Sequence, residues 1–429
     1  MAGSTEAAGD APPGWESATA RVAFAFVALH VADDSFVQPQ PGTGARDHLV
    51  GGVVSLAALT VALVVYPRLR PGARAVLALS VGLVATVGAG AEAGYNALKA
   101  GPSGDDFTGL AMLAAGTALL ALGGMTLWRS RRLEERLARR YARRSLLAVA
   151  GALVAFEVVV PIALAYVVTH ASRPGVPRAD LGAPHEDVAI TTADGLELRG
   201  WYVPSKNGAA VIAFPGRTGP QPHARMLVRH GYGVLLFGRR GEGQSEGDPN
   251  GLGWGMDADI TAAAAFLRER PDVEQGRVGG LGLSVGGEAL LEAAAKTDML
   301  RAVVSEGAGI RSLREALGVR GVSRWLTAPY WAVTTGATAI FAGRLPPPSL
   351  EDLVPRIAPR PVLLVYAAHG QGGEDLNPEY FAAANEPKEL WRIPDGGHTG
   401  GIDARSGEYE RRVVGFFDRA LLGAGGTAP

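Results

Sequence analysis

The chain contains no cysteine, which excludes disulfides, thiolate nucleophiles and cysteine-ligated metals, and which suits either side of a membrane. Lysine is nearly absent too, standing only at positions 99, 206, 296 and 388, so positive charge is carried by arginine and is clustered. With 41 Lys and Arg against 42 Asp and Glu, the net charge is −1, and nothing suggests nucleic-acid binding. Charged residues make up 19% of the 429 residues and hydrophobic ones 47%; the chain is more apolar than most soluble proteins and long enough for two or three domains. The apolar excess is uneven: residues 1–170 are dominated by Ala, Val, Leu and Gly, whereas the remainder has the mixed texture of a globular enzyme.

Four stretches, roughly 49–66, 75–97, 107–128 and 145–168, are long and apolar enough to cross a bilayer, which takes about 20 residues each. A fifth, Val22 to Val37, is shorter and holds Asp33 and Asp34; it reads equally as an extra span or an interfacial helix. Residues 1–20 carry Glu6, Asp10 and Glu16 and no basic leader, against a secretory signal peptide. The segment Pro67 to Arg74 holds three arginines and Arg129 to Arg144 holds eight, while the Gly101 to Asp106 loop is acidic. Arginines beside spans are retained in the cytoplasm, so both basic loops are expected inside and everything after the fourth span outside. Glu92 and Glu157 fall within spans; an ionisable group at membrane depth is either paired with polar neighbours or functional.

A Pro- and Gly-containing linker at 171–179 leads into a second region at 180–423. There, Asp187 to Thr192 and Leu196 to Val203 alternate around Asp194-Gly195, a hairpin signal. Apolar runs at Ala209 to Phe214, Val234 to Phe237, Val278 to Leu283, Arg301 to Gly307, Pro361 to Tyr366 and Glu389 to Ile393 alternate with helix-forming segments, which argues for a doubly wound, mainly parallel sheet. From about 310 to 358 this alternation breaks into an insertion rich in aromatics, with Trp325, Tyr330, Trp331 and Phe341.

The motif Gly282-Leu-Ser284-Val-Gly286 joins one of these strands to a helix-forming segment. In that geometry a serine at a sharp turn exposes its hydroxyl, and glycines flank it because neighbouring backbone leaves no room for a Cβ. The pattern alone is weak: roughly 0.3 chance matches are expected in a chain of this composition, and a second occurs at Gly243-Gln-Ser245-Glu-Gly247. Only Ser284 has a strand before it and a helix after it; Ser245 is surrounded by loop chemistry.

Strand, elbow and helix together resemble the α/β-hydrolase superfamily. Gly238 to Gly247 is similar to the D-x-R-G-x-G-x-S-x-G segment of its prolyl-aminopeptidase and monoacylglycerol-lipase-like branch: Arg240, Gly241, Gly243, Ser245 and Gly247 match, while Gly238 replaces the Asp. The resemblance implies an α/β fold with a helical lid at 310–358, preceded by an all-α transmembrane module. It implies a triad of Ser284, His398 in the Pro394 to Gly401 turn, and an acid after the Pro361 to Tyr366 strand. Asp375, placed before Leu-Asn-Pro, fits the family's spacing better, with Glu374 as the alternative. The family's oxyanion donors fall on the backbone amides of Arg217 and Val285, although Phe214 stands where the family usually has His. The loop carrying Ser245 is structural in the family.

The expected chemistry is hydrolysis of an ester, thioester or amide through an acyl-enzyme, with no metal or organic cofactor required. The expected substrate is a lipid-like or acyl compound reaching a multi-pass membrane protein from the bilayer. An acyltransferase, an aminopeptidase, or a catalytically silent domain acting as sensor or assembly partner remain alternatives. The oligomeric state is open.

Overall fold

The computed structural model describes residues 12–129, 137–170, 173, 175–318 and 323–423. The 130–136 part of the second basic loop, and residues 171, 172 and 174 of the linker, lie outside them. The chain divides into two units. One comprises Met1–Ser172 with Trp325–Leu345, the other Arg173–Arg324 with Pro346–Pro429.

In the first unit, four helices among the described residues, Leu49–Arg68, Pro71–Lys99, Asp106–Arg129 and Tyr141–Thr169, are long and apolar enough to cross a membrane. The ambiguous fifth segment begins earlier than expected, as a helix Gly14–Ala32 continued by a wider turn over Asp33–Val37. Its Ala20, Ala23, Phe24 and Val27 are buried in the core of this unit. Polar contacts mark its two ends: Arg74 Nε donates to Glu16 at 3.0 Å, while Thr108 donates to Asp33 at 2.7 Å and stands 3.0 Å from His30 Nδ1. Small residues let neighbouring helices approach closely; a Cβ on Gly82 would sit 2.8 Å from the Gly116 carbonyl oxygen.

The aromatic insertion at 310–358, expected as a lid, divides between the two units. Its long helix, Ser323–Phe341, belongs from Trp325 onward to the helical unit rather than to the sheet. Phe341 stands edge-on to Tyr166 and His170 with centroids 5.5 and 6.0 Å away, and Tyr330 meets Phe156 at 5.5 Å. The absence of a side chain at Gly51 makes room for the Ile340 and Phe341 carbonyls, each 3.2 Å from where a Cβ would lie.

The second unit is built on an eight-stranded sheet. Its strands are β1 (Glu186–Thr191), β2 (Glu197–Val203), β3 (Ala210–Phe214), β4 (Gly233–Phe237), β5 (Val278–Leu283), β6 (Ala302–Glu306), β7 (Val362–His369) and β8 (Lys388–Gly397). They lie in the order β1-β2-β4-β3-β5-β6-β7-β8. The β1–β2 and β2–β4 pairings are antiparallel, and the pairings from β4 through β3 to β8 are parallel. The central strands β3, β4 and β5 are apolar throughout, because helices cover both faces. On one face pack Met256–Arg268 and Val285–Lys296, and on the other Gln221–Arg229 and Ser406–Phe417, each with its own hydrophobic core. This is an α/β-hydrolase-like fold. Its strand order reverses beside β3, so the carboxyl ends of β3 and β5 open onto the crevice where such sheets bind ligands.

Candidate active site

β5 ends at Leu283, and the chain turns through Ser284 into the helix Val285–Lys296. Ser284 has φ 53° and ψ −125°, a left-handed conformation that strains a residue with a Cβ and is kept only where surroundings over-determine it. Here Gly282 and Gly286 supply the constraint. A Cβ on Gly282 would lie 2.5 Å from the Gly286 carbonyl, and one on Gly286 would lie 2.5 Å from Pro215 Cδ and 2.6 Å from the Phe214 oxygen. The Ser284 amide donates to the Glu306 carbonyl at 2.8 Å, tying the turn to the end of β6.

β8 is longer than its apolar run and delivers His398 immediately after Gly397. His398 Nε2 stands 2.9 Å from Ser284 Oγ, and its Nδ1 is in contact with the Glu374 carboxylate. The acid comes from a single 3-10 turn, Glu374–Leu376, entered through Gly373 at φ 93°. That turn points Glu374 inward, 2% exposed, where its second oxygen accepts the Ala367 amide at 2.9 Å. Asp375, the acid that the sequence spacing favours, is exposed. Of the two candidates the structure brings Glu374 to His398, because adjacent residues on a tight turn point in different directions.

The hydrogen bond to Glu374 raises His398 above the ordinary histidine range; burial opposes the rise, and the negative charges of Glu306 and Glu288 add to it. With Nδ1–H directed at the carboxylate, Nε2 is left to accept a proton from Ser284.

The two expected oxyanion donors lie on turns in direct contact. Val285 is the first residue of the elbow helix, whose leading amides have no intrahelical acceptor, and Arg217 follows Gly216 (φ 70°) after β3. Among the described residues neither amide donates to a backbone carbonyl. The Arg217 side chain turns away, buried with its guanidinium carbon 5.2 Å from the Trp201 ring centroid.

Ser245 is 0% exposed. Its hydroxyl donates to the Gly238 carbonyl and accepts the Arg199 amide, both at 3.0 Å. The same loop is braced by Arg240, whose Nε donates to both Asp259 oxygens at 3.1 Å while Nη1 reaches Asp194 at 3.1 Å.

Sequence reasoning overlooked Glu306. This carboxylate closes an otherwise apolar strand, is 2% exposed, and accepts the Gly401 amide at 2.9 Å and the Tyr409 hydroxyl at 2.5 Å. A buried acid ending the Ala-Val-Val-Ser run was the available signal; its partners, about 100 residues away, were not legible.

Among known proteins, the family model described as X-Pro dipeptidyl-peptidase (S15 family) matches residues 165–354, a span that includes Ser284 and stops before Glu374 and His398. The uncharacterized protein YfhR of Salmonella typhi is 30% identical over 259 residues, covering 56% of this chain and 83% of YfhR. The uncharacterized protein Rv2307c of Mycobacterium tuberculosis (strain ATCC 25618 / H37Rv) is 31% identical over 245 residues, covering 52% of this chain and 76% of the relative. Of solved structures, the Pyrococcus furiosus esterase Pf2001 covers 58% of this chain and 100% of its own, at 20% identity and a TM-score of 0.46.

Proposed function

Starting from the premise that the chain belongs to the family of the YfhR proteins and is a serine hydrolase of the α/β-hydrolase type, we propose that it is a membrane-anchored enzyme. In this reading it cleaves an ester, thioester or amide bond of an acyl or lipid-like substrate through Ser284, His398 and Glu374. The observation that carries the proposal is the single imidazole with Ser284 Oγ on one nitrogen and the Glu374 carboxylate on the other.

Ser284 Oγ attacks the substrate carbonyl carbon as its proton passes to His398 Nε2. The carbonyl oxygen becomes an oxyanion, held by the Val285 and Arg217 amides; donors of this kind contribute about 3 kcal/mol each. His398, now an imidazolium stabilised by Glu374, gives its proton to the departing alcohol, thiol or amine. An acyl-Ser284 ester remains. Water then loses a proton to His398 Nε2, attacks that ester, and releases the acid and the free serine.

The membrane placement rests on the four long apolar helices and on the apolar side chains they leave uncovered, among them Val50, Val53 and Val61 on one helix and Leu146, Leu147 and Val149 on another. Arginine in the two loops directs those loops to the cytoplasm and the hydrolase unit to the opposite side. The S15 match favours a second reading of the same triad, in which the scissile bond is the amide after an X-Pro pair.

Full-length protein in detergent or nanodiscs, offered p-nitrophenyl esters of increasing chain length and Gly-Pro-p-nitroanilide, distinguishes the two. The first reading expects ester turnover that improves with chain length, and dominant anilide cleavage would overturn it in favour of the second. Protease added to right-side-out vesicles is expected to degrade the hydrolase unit; full protection would contradict the topology.

A further inference from the structure

The histidine turn is strained in a way the triad itself does not explain. Thr399, directly after His398, has φ 51°, a conformation that is a genuine outlier for a β-branched residue and costs of order 1–3 kcal/mol. Such strain persists only where something holds the chain on both sides. On one side the holder is the β7–β8 ladder, which runs up to the His369 and Gly397 pairing. On the other it is Glu306, whose carboxylate accepts the Gly401 amide, two residues beyond Thr399. The chain is shaped for that contact: a Cβ on Gly401 would lie 2.8 Å from Glu306 Oε1 and 2.5 Å from Ile393 Cδ1. Gly307 adds a second approach, since a Cβ there would sit 3.0 Å from Thr399 Cγ2 and 3.4 Å from His398 Cε1.

Glu306 also bonds to the main chain of Ser284. Its carbonyl oxygen accepts the Ser284 amide, so one residue fixes the serine turn through its main chain and the histidine turn through its side chain. Its other carboxylate oxygen is held by Tyr409 from the helix Ser406–Phe417, with His223 Nε2 at 3.7 Å from the helix Gln221–Arg229. His223 is itself buried, and neither ring nitrogen has a hydrogen-bond partner among the described residues. A buried carboxylate with two donors and an imidazole beside it is a rigid support, because releasing it would leave its partners unsatisfied in the interior.

Resting on the triad proposed above, we propose that Glu306 is the positioning residue of this enzyme: it sets the separation of Ser284 and His398 by anchoring both turns at once, with the Tyr409 hydroxyl fixing its carboxylate. It touches neither substrate nor reacting atoms. Its charge also reaches His398, which is faced by Glu374 from the turn after β7, Glu288 from the elbow helix and Ser284. Loss of that charge therefore lets the imidazole lose its proton at lower pH.

The test uses full-length protein and two variants, Glu306→Gln and Tyr409→Phe, with Ser284→Ala as control. The second-order rate of Ser284 labelling by a fluorophosphonate is measured alongside the kcat, KM and pH profile of p-nitrophenyl butyrate hydrolysis. A misplacement on the ångström scale costs about 100-fold in rate. Glu306→Gln, which keeps one acceptor for Gly401, is expected to lose about 10- to 100-fold in kcat and in labelling rate with KM little changed. The acid limb of its kcat/KM profile is expected to move to lower pH. Tyr409→Phe is expected to lose roughly threefold by the same criterion, without replacing the carboxylate. A purely structural role would lower the melting temperature and leave the acid limb where it is. Wild type labelled at Ser284, with both variants labelled equally fast and the acid limb unmoved, overturns the role of Glu306 alone. Wild type not labelled at Ser284 overturns the triad and this proposal with it.

Discussion

Two turns of the chain carry the same five-residue pattern, around Ser284 and around Ser245, and the structure gives them opposite fates. Ser284 stands at φ 53° between a strand and a helix, with its hydroxyl 2.9 Å from an imidazole. Ser245 is fully buried in a loop, its hydroxyl spent on the Gly238 carbonyl and the Arg199 amide. The glycines do different work as well. Those beside Ser284 let β3 and the elbow helix approach to within a side chain's width, whereas Gly243 and Gly247 adopt φ of 57° and 93° to shape a loop. A short motif thus names a backbone requirement, and the surrounding elements decide whether the hydroxyl is a nucleophile or a brace.

The sharpest way to break this contrast is to remove each hydroxyl in turn. Ser284→Ala is expected to cut p-nitrophenyl butyrate hydrolysis by about 10⁴- to 10⁶-fold, and Ser245→Ala to leave the rate per folded molecule within about threefold. Next comes the acid. Glu374→Gln is expected to lower kcat by about 10³- to 10⁴-fold, since an amide no longer enforces the tautomer, while the exposed Asp375→Asn stays within about twofold.

The pH profile gives a smaller effect of defined sign. His398 is raised above the ordinary histidine value by Glu374, and catalysis needs the neutral ring. Activity is therefore expected to rise with pH through a midpoint above about 6.5, and Glu374→Gln to move that midpoint down. Stability runs the other way. The protonated His398–Glu374 pair contributes below the unfolded histidine value, and the contribution fades as pH rises through the folded one. Thermal melts across the same window check it. The smallest expected effect belongs to Ser245→Ala, about 1–3 kcal/mol of stability lost through an unsatisfied carbonyl and amide, read from denaturant titration of the full chain.

Much of this architecture was legible in the residue order. Apolar runs bounded by Gly and Pro marked the strands to within a few residues, because parallel strands buried on both faces have no polar alternation to blur them. The order of Ser284 and His398, and the strand and helix around Ser284, singled out one serine of two. Three features were hidden for physical reasons. Glu374 and Asp375 are adjacent carboxylates, and only the turn geometry set by Gly373 decides which faces inward. The helix Ser323–Phe341 has the aromatic and small residues of a lid and equally of a bundle helix, and its partners, Tyr166 and Phe156, lie far away in sequence. The bonds from Glu306 to Gly401 and Tyr409 are long-range contacts with no local pattern.

The central claim is that Ser284, and not its sequence twin, is the nucleophile. Labelling the full-length protein with a fluorophosphonate and locating the adduct by peptide mass spectrometry tests it most directly. The account predicts a single adduct on Ser284, retained in Ser245→Ala and absent in Ser284→Ala. An adduct on Ser245, or Ser284→Ala labelled as fully as wild type, would contradict it.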